Sequence, residues 1–447
     1  MFENKKIFIL GFARSGYEAA KFLIKRGNEV LINDGKDESK ADQKKIAELK
    51  KLGVKFFFGS HPDDLFDSSY DYLIKNPGVP IHHKYVEKAK EIGVEVINEV
   101  EMAYRLLPKD VTLIGITGTN GKTTTTTLTY EIIKEAGISC HLAGNIGYPL
   151  CSFLDKLKSG DVIVMETSCQ QLENVKEFKP NIAVMTNLSE AHVDFFDNDY
   201  QKYKDVKTKI FKNQTENDIA ILNLENKEVL DQTKNIKSKK MYFSSSKKAN
   251  CYLKDNVIYY NDEEVINTDD MIIVGKHNAE NVMAAILVAK QFNISDDVIR
   301  KVVYNFKGVE HRLEFCGEVN GVKYYNDTEA TNIKCTQIAL SSFDKPTIII
   351  LGGLERGQDF NELTPYMKNV KSVIAIGQCR KRVEDYAKSL NIPVYTHEFL
   401  KDGFKEIPKI AKEGNVVLLS PASASWDQYK ECEIRGKEFK DYVKELM

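Results

Sequence analysis

Gly118-Thr119-Asn120-Gly121-Lys122-Thr123-Thr124 gathers the residue types that handle phosphate. An apolar segment, Val111 to Ile116, precedes the run, and a helix-like segment ending at Gly137 follows it. A glycine-rich turn between strand and helix offers backbone N–H groups and the positive helix end to an anion. A lysine there reaches the outer phosphates, and a hydroxyl can ligate Mg2+. The run therefore predicts a nucleoside triphosphate site. The strict P-loop pattern puts four residues between its first glycine and the Gly-Lys pair. Here Gly115 is one residue too far and Gly118 is too close. The plainer alternative is a glycine turn capping a helix, with Lys122 in solvent. The order strand, turn, Lys-Thr and helix weighs against it. Thr125 to Thr127 need only be helix surface or packing.

A second turn, Gly11-Phe12-Ala13-Arg14-Ser15-Gly16, follows the first apolar run, with Asp34 further on. It nearly fits a dinucleotide fingerprint, with Ala13 in the middle glycine place. It predicts a phosphate-bearing ligand on that helix start without saying which; close helix–strand packing is the alternative. Lys75-Asn76-Pro77-Gly78-Val79-Pro80 is a rigid turn placed to line the same crevice. Glu166 ends an apolar strand, where a carboxylate suits a metal or a salt bridge. His192 follows the next strand and could share a second Mg2+. Lys207, in Lys204-Asp205-Val206-Lys207-Thr208-Lys209, reads by itself as a solvated helix lysine.

These residues need elements to hold them. Lys6 to Leu10, Glu29 to Asn33, Lys55 to Phe58, Tyr72 to Lys75 and Val94 to Ile97 read as strands, with a helix at Tyr17 to Arg26. That rhythm implies a parallel sheet with crossover helices. A second α/β unit opens near Val111. Its strands recur at Asp161 to Met165, Ile182 to Thr186 and Ile219 to Leu222, followed by a meander over Cys251 to Ile266. Helices are predicted at His277 to Gln291 and Asp296 to Phe306. A third unit starts near Glu310 with a hairpin turning at Asn320-Gly321. Its strands are Thr347 to Leu351, Val373 to Ile376, Pro393 to Tyr395 and Asn415 to Leu419. The expected domains are 1–108, 109–309 and 310–447.

With 447 residues, two to four domains are expected. A net charge of -2 gives no broad basic field for nucleic acid. Eight cysteines without a CxxC or a Cys/His ladder fit free thiols in a reducing cytosol. No apolar run approaches the roughly 20 residues needed to span a membrane. The Lys-rich patches, Lys234 to Lys240 and Lys247-Lys248, are expected in solvated loops. Three α/β units with the triphosphate loop opening the second point to a multi-substrate enzyme.

The chain resembles the Mur ligase family over essentially its whole length. The likeness rests on the loop at Thr117 to Thr123, Gly144-Asn145-Ile146-Gly147, Glu166 through Glu173, and Thr186-Asn187 through His192. Further on it rests on Gly275-Lys276-His277-Asn278 through Asn281, His311-Arg312-Leu313-Glu314, Asn326-Asp327 through Asn332, and Leu419-Ser420-Pro421 through Asp427. The resemblance implies an α/β fold of three domains: a Rossmann-like first domain for the UDP substrate, a P-loop-type central ATPase and a Rossmann-like C-terminal domain for the amino acid. It implies a cytoplasmic ATP-dependent ligase of peptidoglycan synthesis, acting as a monomer without nucleic acid or membrane. Within the family the pattern is that of the type joining D-glutamate to UDP-N-acetylmuramoyl-L-alanine through an acyl phosphate. ATP is the co-substrate and two Mg2+ ions are expected.

By resemblance, Gly118, Thr119, Asn120, Gly121, Lys122, Thr123 and Thr124 bind ATP, and Asn278 and Asn281 bind its adenine, helix capping being the alternative for Asn278. Arg312 and Asp327 contact ATP from the third domain, Asp327 near the ribose. Thr123, Glu166, His192 and a carbamylated Lys207 hold metal; Lys122, Lys207, His192 and Glu166 are the catalytic set. Ala13, Arg14, Ser15, Asp34, Asn76 and Gly78 cradle UDP. Asn145, Ser168 and Gln171 contact the muramoyl-alanine part. Arg356 and Ser425 take the amino acid, a guanidinium gripping a carboxylate in two places.

Two positions depart from the family pattern. Glu329 stands where a lysine is familiar, and Cys432 where an aromatic is expected. Both bear on the amino acid's identity. The rival within the family adds L-alanine to UDP-N-acetylmuramate. Outside it stand a folylpolyglutamate ligase lacking the first domain, an NTP-driven switch and an NAD oxidoreductase.

Overall fold

The computed structural model describes residues 1–191 and 193–447. Among them, twenty strands form three sheets. The first contains β1 (Lys6–Leu10), β2 (Glu29–Asp34), β3 (Lys55–Phe58), β4 (Tyr72–Lys75) and β5 (Glu95–Ile97). Their order is β3-β2-β1-β4-β5 and every pairing is parallel. The chain leaves β1 in one direction and returns to its other side at β4. Ligands of open parallel sheets bind beyond the carboxyl ends at such a reversal. The turns after β1 and β4 meet there.

The second sheet contains β6 (Thr112–Thr117), β7 (Cys140–Gly144), β8 (Val162–Glu166), β9 (Ile182–Met185), β10 (Ile219–Asn223), β11 (Lys239–Ser244), β12 (Cys251–Lys254), β13 (Val257–Tyr260) and β14 (Glu263–Asn267). Its order is β14-β13-β12-β11-β10-β9-β6-β8-β7. In that order the strands from β7 to β12 pair in parallel, and the central ones, β6, β8, β9 and β10, read as apolar runs because both faces are covered. Lys239 and Lys240, expected in a solvated loop, open β11, with Lys239 exposed and Lys240 half-buried at its edge before the buried Met241 and Phe243.

The third sheet contains β15 (Glu314–Val319), β16 (Val322–Asn326), β17 (Thr347–Gly352), β18 (Val370–Ile376), β19 (Val394–Thr396) and β20 (Val416–Leu419). Its order is β15-β16-β20-β17-β18-β19. The opening hairpin turns at Asn320 and Gly321 with φ 51° and 72°, as a type I′ turn requires.

Two compact units follow from these contacts: residues 1–266 with 280–300, and residues 267–279 with 301–447. In the first, Ile7 and Ile9 of the first sheet share a core with Met165 and Met185 of the second. Between those sheets, Glu101 is fully buried, and its carboxylate accepts the N–H groups of Lys176, Glu177 and Phe178 and the Arg105 Nε. Asn98 Nδ2 donates to the Gln171 carbonyl beside it. In the second unit, cores on the two faces of the sheet centre on Leu351 and Val373 and on Ile350 and Phe439.

Candidate active site

The triphosphate loop hangs from β6, with β8 and β9 on either side. β9 leads into Thr186-Asn187, which fixes the loop. Asn187 accepts the Thr119 N–H through its carbonyl and the Asn120 N–H through Oδ1, both at 2.9 Å. Thr186 Oγ1 and Asn187 Nδ2 both donate to the Asn120 carbonyl. Gly118 and Gly121 have φ of 148° and 79°. A Cβ on Gly118 would lie 1.9 Å from Thr186 Oγ1, and one on Gly121 2.3 Å from Asn281 Oδ1. These two are the loop's required glycines. Gly115 sits inside β6, where a Cβ would press on Pro180 and Ile210 at 3.1 Å. The irregular spacing thus reflects a loop turned at Gly118 and Gly121.

Lys122 opens the helix Lys122–Glu135, with Thr123 and Thr124 half-buried in its first turn. Its Nζ donates to the Thr119 carbonyl at 2.8 Å, folded back over the loop. Thr125 and Thr126 are buried.

Lys207 is not a solvated lysine. It is 2% exposed, and its Nζ donates to the Gly118 carbonyl at 2.7 Å. The helix Tyr200–Thr208 places it over the Tyr203 ring, and Tyr203 in turn shares a hydrogen bond with Thr119 Oγ1 at 2.9 Å. Burial, reinforced by the charge of Lys122, lowers its pKa to about 7. A large neutral fraction near neutrality makes this amine nucleophilic. Sequence spacing alone could not find Lys207 or Tyr203, because flanking lysines mask the buried face of their helix.

Glu166 is 1% exposed at the end of β8. Oε1 accepts Asn145 Nδ2 at 2.7 Å, while Oε2 is buried with no hydrogen-bond partner among the described residues. The salt-bridge alternative is not realised among the described residues. A buried carboxylate oxygen left open beside the phosphate loop fits a hard cation. His192 lies outside the described residues.

Lys122, Lys207, Asn145 and Ser168 line one cavity of ≈ 440 Å3, closed on another side by Pro77 and Gly78 of the first sheet. Ser168 and Gln171 spend their side chains on each other: Ser168 Oγ accepts the Gln171 N–H, and Gln171 Oε1 accepts the Ser168 N–H. This capping box starts the helix Cys169–Glu173, so substrate contact by Ser168 must share its hydroxyl with the cap. A larger groove of ≈ 620 Å3 on the second unit is lined by Lys401, Glu438 and Asp441 and carries none of this chemistry.

At the first sheet's reversal, Asn76 packs on the glycine turn. A Cβ on Gly11 would lie 2.9 Å from Asn76 Cβ, and Asn76 Nδ2 is buried without a partner. Asp34 holds the turn, Oδ2 accepting the Phe12 N–H at 2.7 Å and Oδ1 the Lys36 N–H. Ala13 is the N-cap of the helix Arg14–Ile24, with no side-chain cap, so it leaves N–H groups at Arg14 and Ser15 to a ligand. The Arg14 guanidinium donates to the carbonyls of Gly144, Asn145 and Gly147. It ties the first turn to the rim of the cavity. Sequence reading also missed Lys75 as a side chain: it is buried, 3.4 Å from Glu173, and burial lowers its pKa.

Asn281 accepts from Thr125 Oγ1 at 3.2 Å and so braces the phosphate loop. Asn278, an alternative helix cap, instead lies inside the helix Lys276–Lys290 and donates to the Val274 carbonyl.

In the second unit, Asp327 is buried and accepts Ser420 Oγ at 2.7 Å and the Leu313 N–H at 3.1 Å. Burial raises its pKa to about 7. Both oxygens are engaged internally. Arg312 pairs with Glu329 at 3.3 Å, so the acid that replaces a familiar lysine finds its counter-ion there. Arg356 is exposed, its guanidinium 4.7 Å from the Trp426 ring centroid. Ser425, next to Trp426, is buried with its Oγ unpartnered. The structure brings these two amino-acid candidates to one loop pair.

Family models match in three consecutive stretches: the Mur ligase MurD-like N-terminal domain at residues 5–98, the Mur ligase middle domain at 116–289 and the Mur ligase glutamate ligase domain at 311–423. A UDP-N-acetylmuramoylalanine–D-glutamate ligase of Enterococcus hirae is 42% identical over 453 residues, covering 99% of this chain and 97% of the relative. The ligase of that name from Geobacillus sp. (strain WCH70) is 40% identical, covering 100% and 98%. Among solved structures, the Thermotoga maritima MurF ligase in complex with ADP superposes with a TM-score of 0.62 at 16% identity, covering 100% of this chain and 96% of that one. The UDP-N-acetylmuramate–alanine ligase MurC of the same organism gives 0.59 at 18% identity, covering 99% and 100%. At these identities the superpositions establish the fold.

Proposed function

The chain belongs to the Mur ligase family, and we propose that it joins D-glutamate to the alanyl carboxylate of UDP-N-acetylmuramoyl-L-alanine at the expense of ATP, in the cytoplasmic stage of peptidoglycan synthesis. The observation that carries the reading is the meeting of Lys122, Lys207 and Asn145 in one cavity, with Glu166 behind Asn145. Full-length relatives at 40–42% identity bear that ligase name, which favours D-glutamate over the L-alanine alternative.

The chemistry runs in two steps. An alanyl carboxylate oxygen attacks the γ-phosphorus and ADP leaves. The D-glutamate amine then attacks the acyl carbon, phosphate leaves, and the amine's proton is lost. Negative charge gathers between nucleotide and acyl group in both steps, so preorganised cations there lower the barrier. Lys122 supplies one, held over the loop by Thr119. The loop N–H groups and the N-terminus of the helix Lys122–Glu135 supply partial positive charge. Asn145 is held by Glu166 and presents its amide at the cavity wall.

Thr123, Glu166, His192 and a carbamylated Lys207 are the residues that would hold Mg2+, and the open Glu166 Oε2 fits that role. When bound, Mg2+ supplies charge neutralisation on the transferring phosphoryl group. Lys207 suits carbamylation because its neutral amine can add to CO2 with loss of one proton, exchanging a cation for an anion. The first sheet's reversal, with Ala13, Arg14, Ser15, Asp34, Asn76 and Gly78, takes the uridine diphosphate end. Arg356 and Ser425 are assigned to the amino acid, Asn278 and Asn281 to adenine, and Arg312 and Asp327 to ATP.

The test is product analysis. Enzyme, ATP, Mg2+, UDP-N-acetylmuramoyl-L-alanine and D-glutamate should give a product heavier by one glutamyl residue per ADP formed. ADP formed without that product would refute the reading.

A further inference from the structure

Arg435 heads the largest fully buried side chains among the described residues, at 1% exposure in the helix Cys432–Leu446. Its Nε donates to Thr328 Oγ1 at 2.9 Å, and Nη2 donates to the carbonyls of Thr328 and Ser423 at 3.0 and 3.1 Å. Nη1 is buried with no partner. All three donated bonds end on neutral oxygens. The titratable groups facing it are Cys432, Asp427, Tyr429 and Cys379. Burial pushes the pKa of both thiols and of the phenol up, so these three are uncharged at neutral pH. Asp427 is the remaining anion, and its Oδ2 already accepts the Gln378 N–H at 3.0 Å. Burial brings the guanidinium down only to about 10, so it stays charged at neutral pH.

A buried cation without a paired carboxylate is costly, and a fold keeps one where an anion arrives to meet it. The place is marked by Gly353, just past β17. A Cβ there would lie 3.1 Å from Nη1 and 2.3 Å from the Ala424 carbonyl. Ala424 and Ser425 follow β20, the neighbour of β17, and the Leu354 N–H donates to Ala424 across the gap. Ser425 Oγ is the second buried group here with no partner. An unneutralised cation and an unfilled hydroxyl therefore belong to one pair of loops at the carboxyl end of the third sheet. Arg356, exposed over Trp426, stands at the outer side of the same loops.

We propose that Arg435 gives the amino-acid pocket its preference for a carboxylate-bearing side chain, its charge acting through the wall formed by Gly353 and Ser425. The inference rests on the reading that these loops receive the amino acid. Arg435 is a specificity residue that positions the wall by strapping Thr328 to Ser423; it does not touch the reacting atoms.

The experiment uses the full chain with saturating ATP and UDP-N-acetylmuramoyl-L-alanine. D-Glutamate is compared with its neutral isostere D-glutamine, read as substrate or as competitive inhibitor, in wild type, R435M, R435Q and R435K. Removing the charge should reduce the D-glutamate to D-glutamine preference by about tenfold or more in R435M and R435Q, with the KM for ATP unchanged. R435K should keep most of the preference. R435Q, which retains hydrogen-bonding groups toward Thr328 and Ser423, carries the comparison should R435M fail to fold. A purely structural strap would depress both amino acids equally; an unchanged preference in a folded neutral variant overturns the inference, as does equal loss in R435K. Wild type that never consumes D-glutamate would instead sink the functional reading, before any variant is compared.

Discussion

Lys207 Nζ donates to the carbonyl of Gly118 at 2.7 Å, tying a buried helix lysine directly to the first glycine of the phosphate loop. Burial and Lys122 together hold that amine near half-protonation at neutral pH. A phosphate site has thus been given a lysine whose charge can be exchanged.

Lys207→Ala should be nearly inactive and partly rescued by small carboxylates such as acetate, which can stand where a carbamate would. Full activity without rescue would discard the carbamate. The pH dependence of stability gives an independent check through Lys207→Met. The folded pKa of about 7 lies below the ordinary lysine value of 10.5, so the unfolded chain binds the extra proton between them. Wild-type stability should therefore rise, relative to Lys207→Met, as pH goes from about 7 to about 10. Urea unfolding at several pH values measures this, and a flat difference would mean the amine is not desolvated.

Lys122→Ala should abolish ADP release while leaving the unfolding midpoint almost unchanged. Its Nζ donates to the Thr119 carbonyl and its side chain is half-buried, so little core packing is lost. Wild-type turnover in a folded variant would remove the phosphate-loop assignment.

Asp327 shows the opposite linkage. Its folded pKa of about 7 lies above the ordinary aspartate value of 3.8, so between them the folded chain holds a proton that the unfolded chain has lost. Stability of wild type relative to Asp327→Asn should fall as pH rises from about 4 to about 7, then level off. A difference that does not change over that window would contradict the buried placement.

Glu101→Ala should destabilise the first unit by about 3–5 kcal/mol, since it leaves the Arg105 charge and three backbone N–H groups without their shared acceptor. The KM for UDP-N-acetylmuramoyl-L-alanine should rise with it, because the same carboxylate holds the first sheet's last helix against the segment that follows Glu173. Thermal unfolding with kinetics separates the two effects.

Strands were legible where both faces are buried, since an apolar run such as Val162–Met165 needs no periodicity to be recognised. Helix starts were less so: Arg14–Ile24 begins at a glycine turn without a capping side chain, and its first turn carries no apolar stripe. Thr117 to Thr123 announced a phosphate loop through local order alone, although its two turning glycines could be told from Gly115 only by what a Cβ would strike. Lys207, Lys75 and Arg435 were illegible for a common reason. Lys207 and Arg435 are long cations in polar-looking helices and Lys75 ends an apolar strand, and the burial of each is created by residues far away in sequence. Ser168 and Gln171 also cap a helix, a local pairing legible in the S-x-x-Q spacing.

The most direct measurement is a coupled phosphate-release screen crossing UDP-N-acetylmuramate and its L-alanyl derivative with L-alanine, D-glutamate, L-glutamate and meso-diaminopimelate. Phosphate should appear with the L-alanyl substrate and D-glutamate together, and not with either alone. Release independent of any amino acid, or release driven by L-alanine on the unsubstituted muramate, would contradict the central claim.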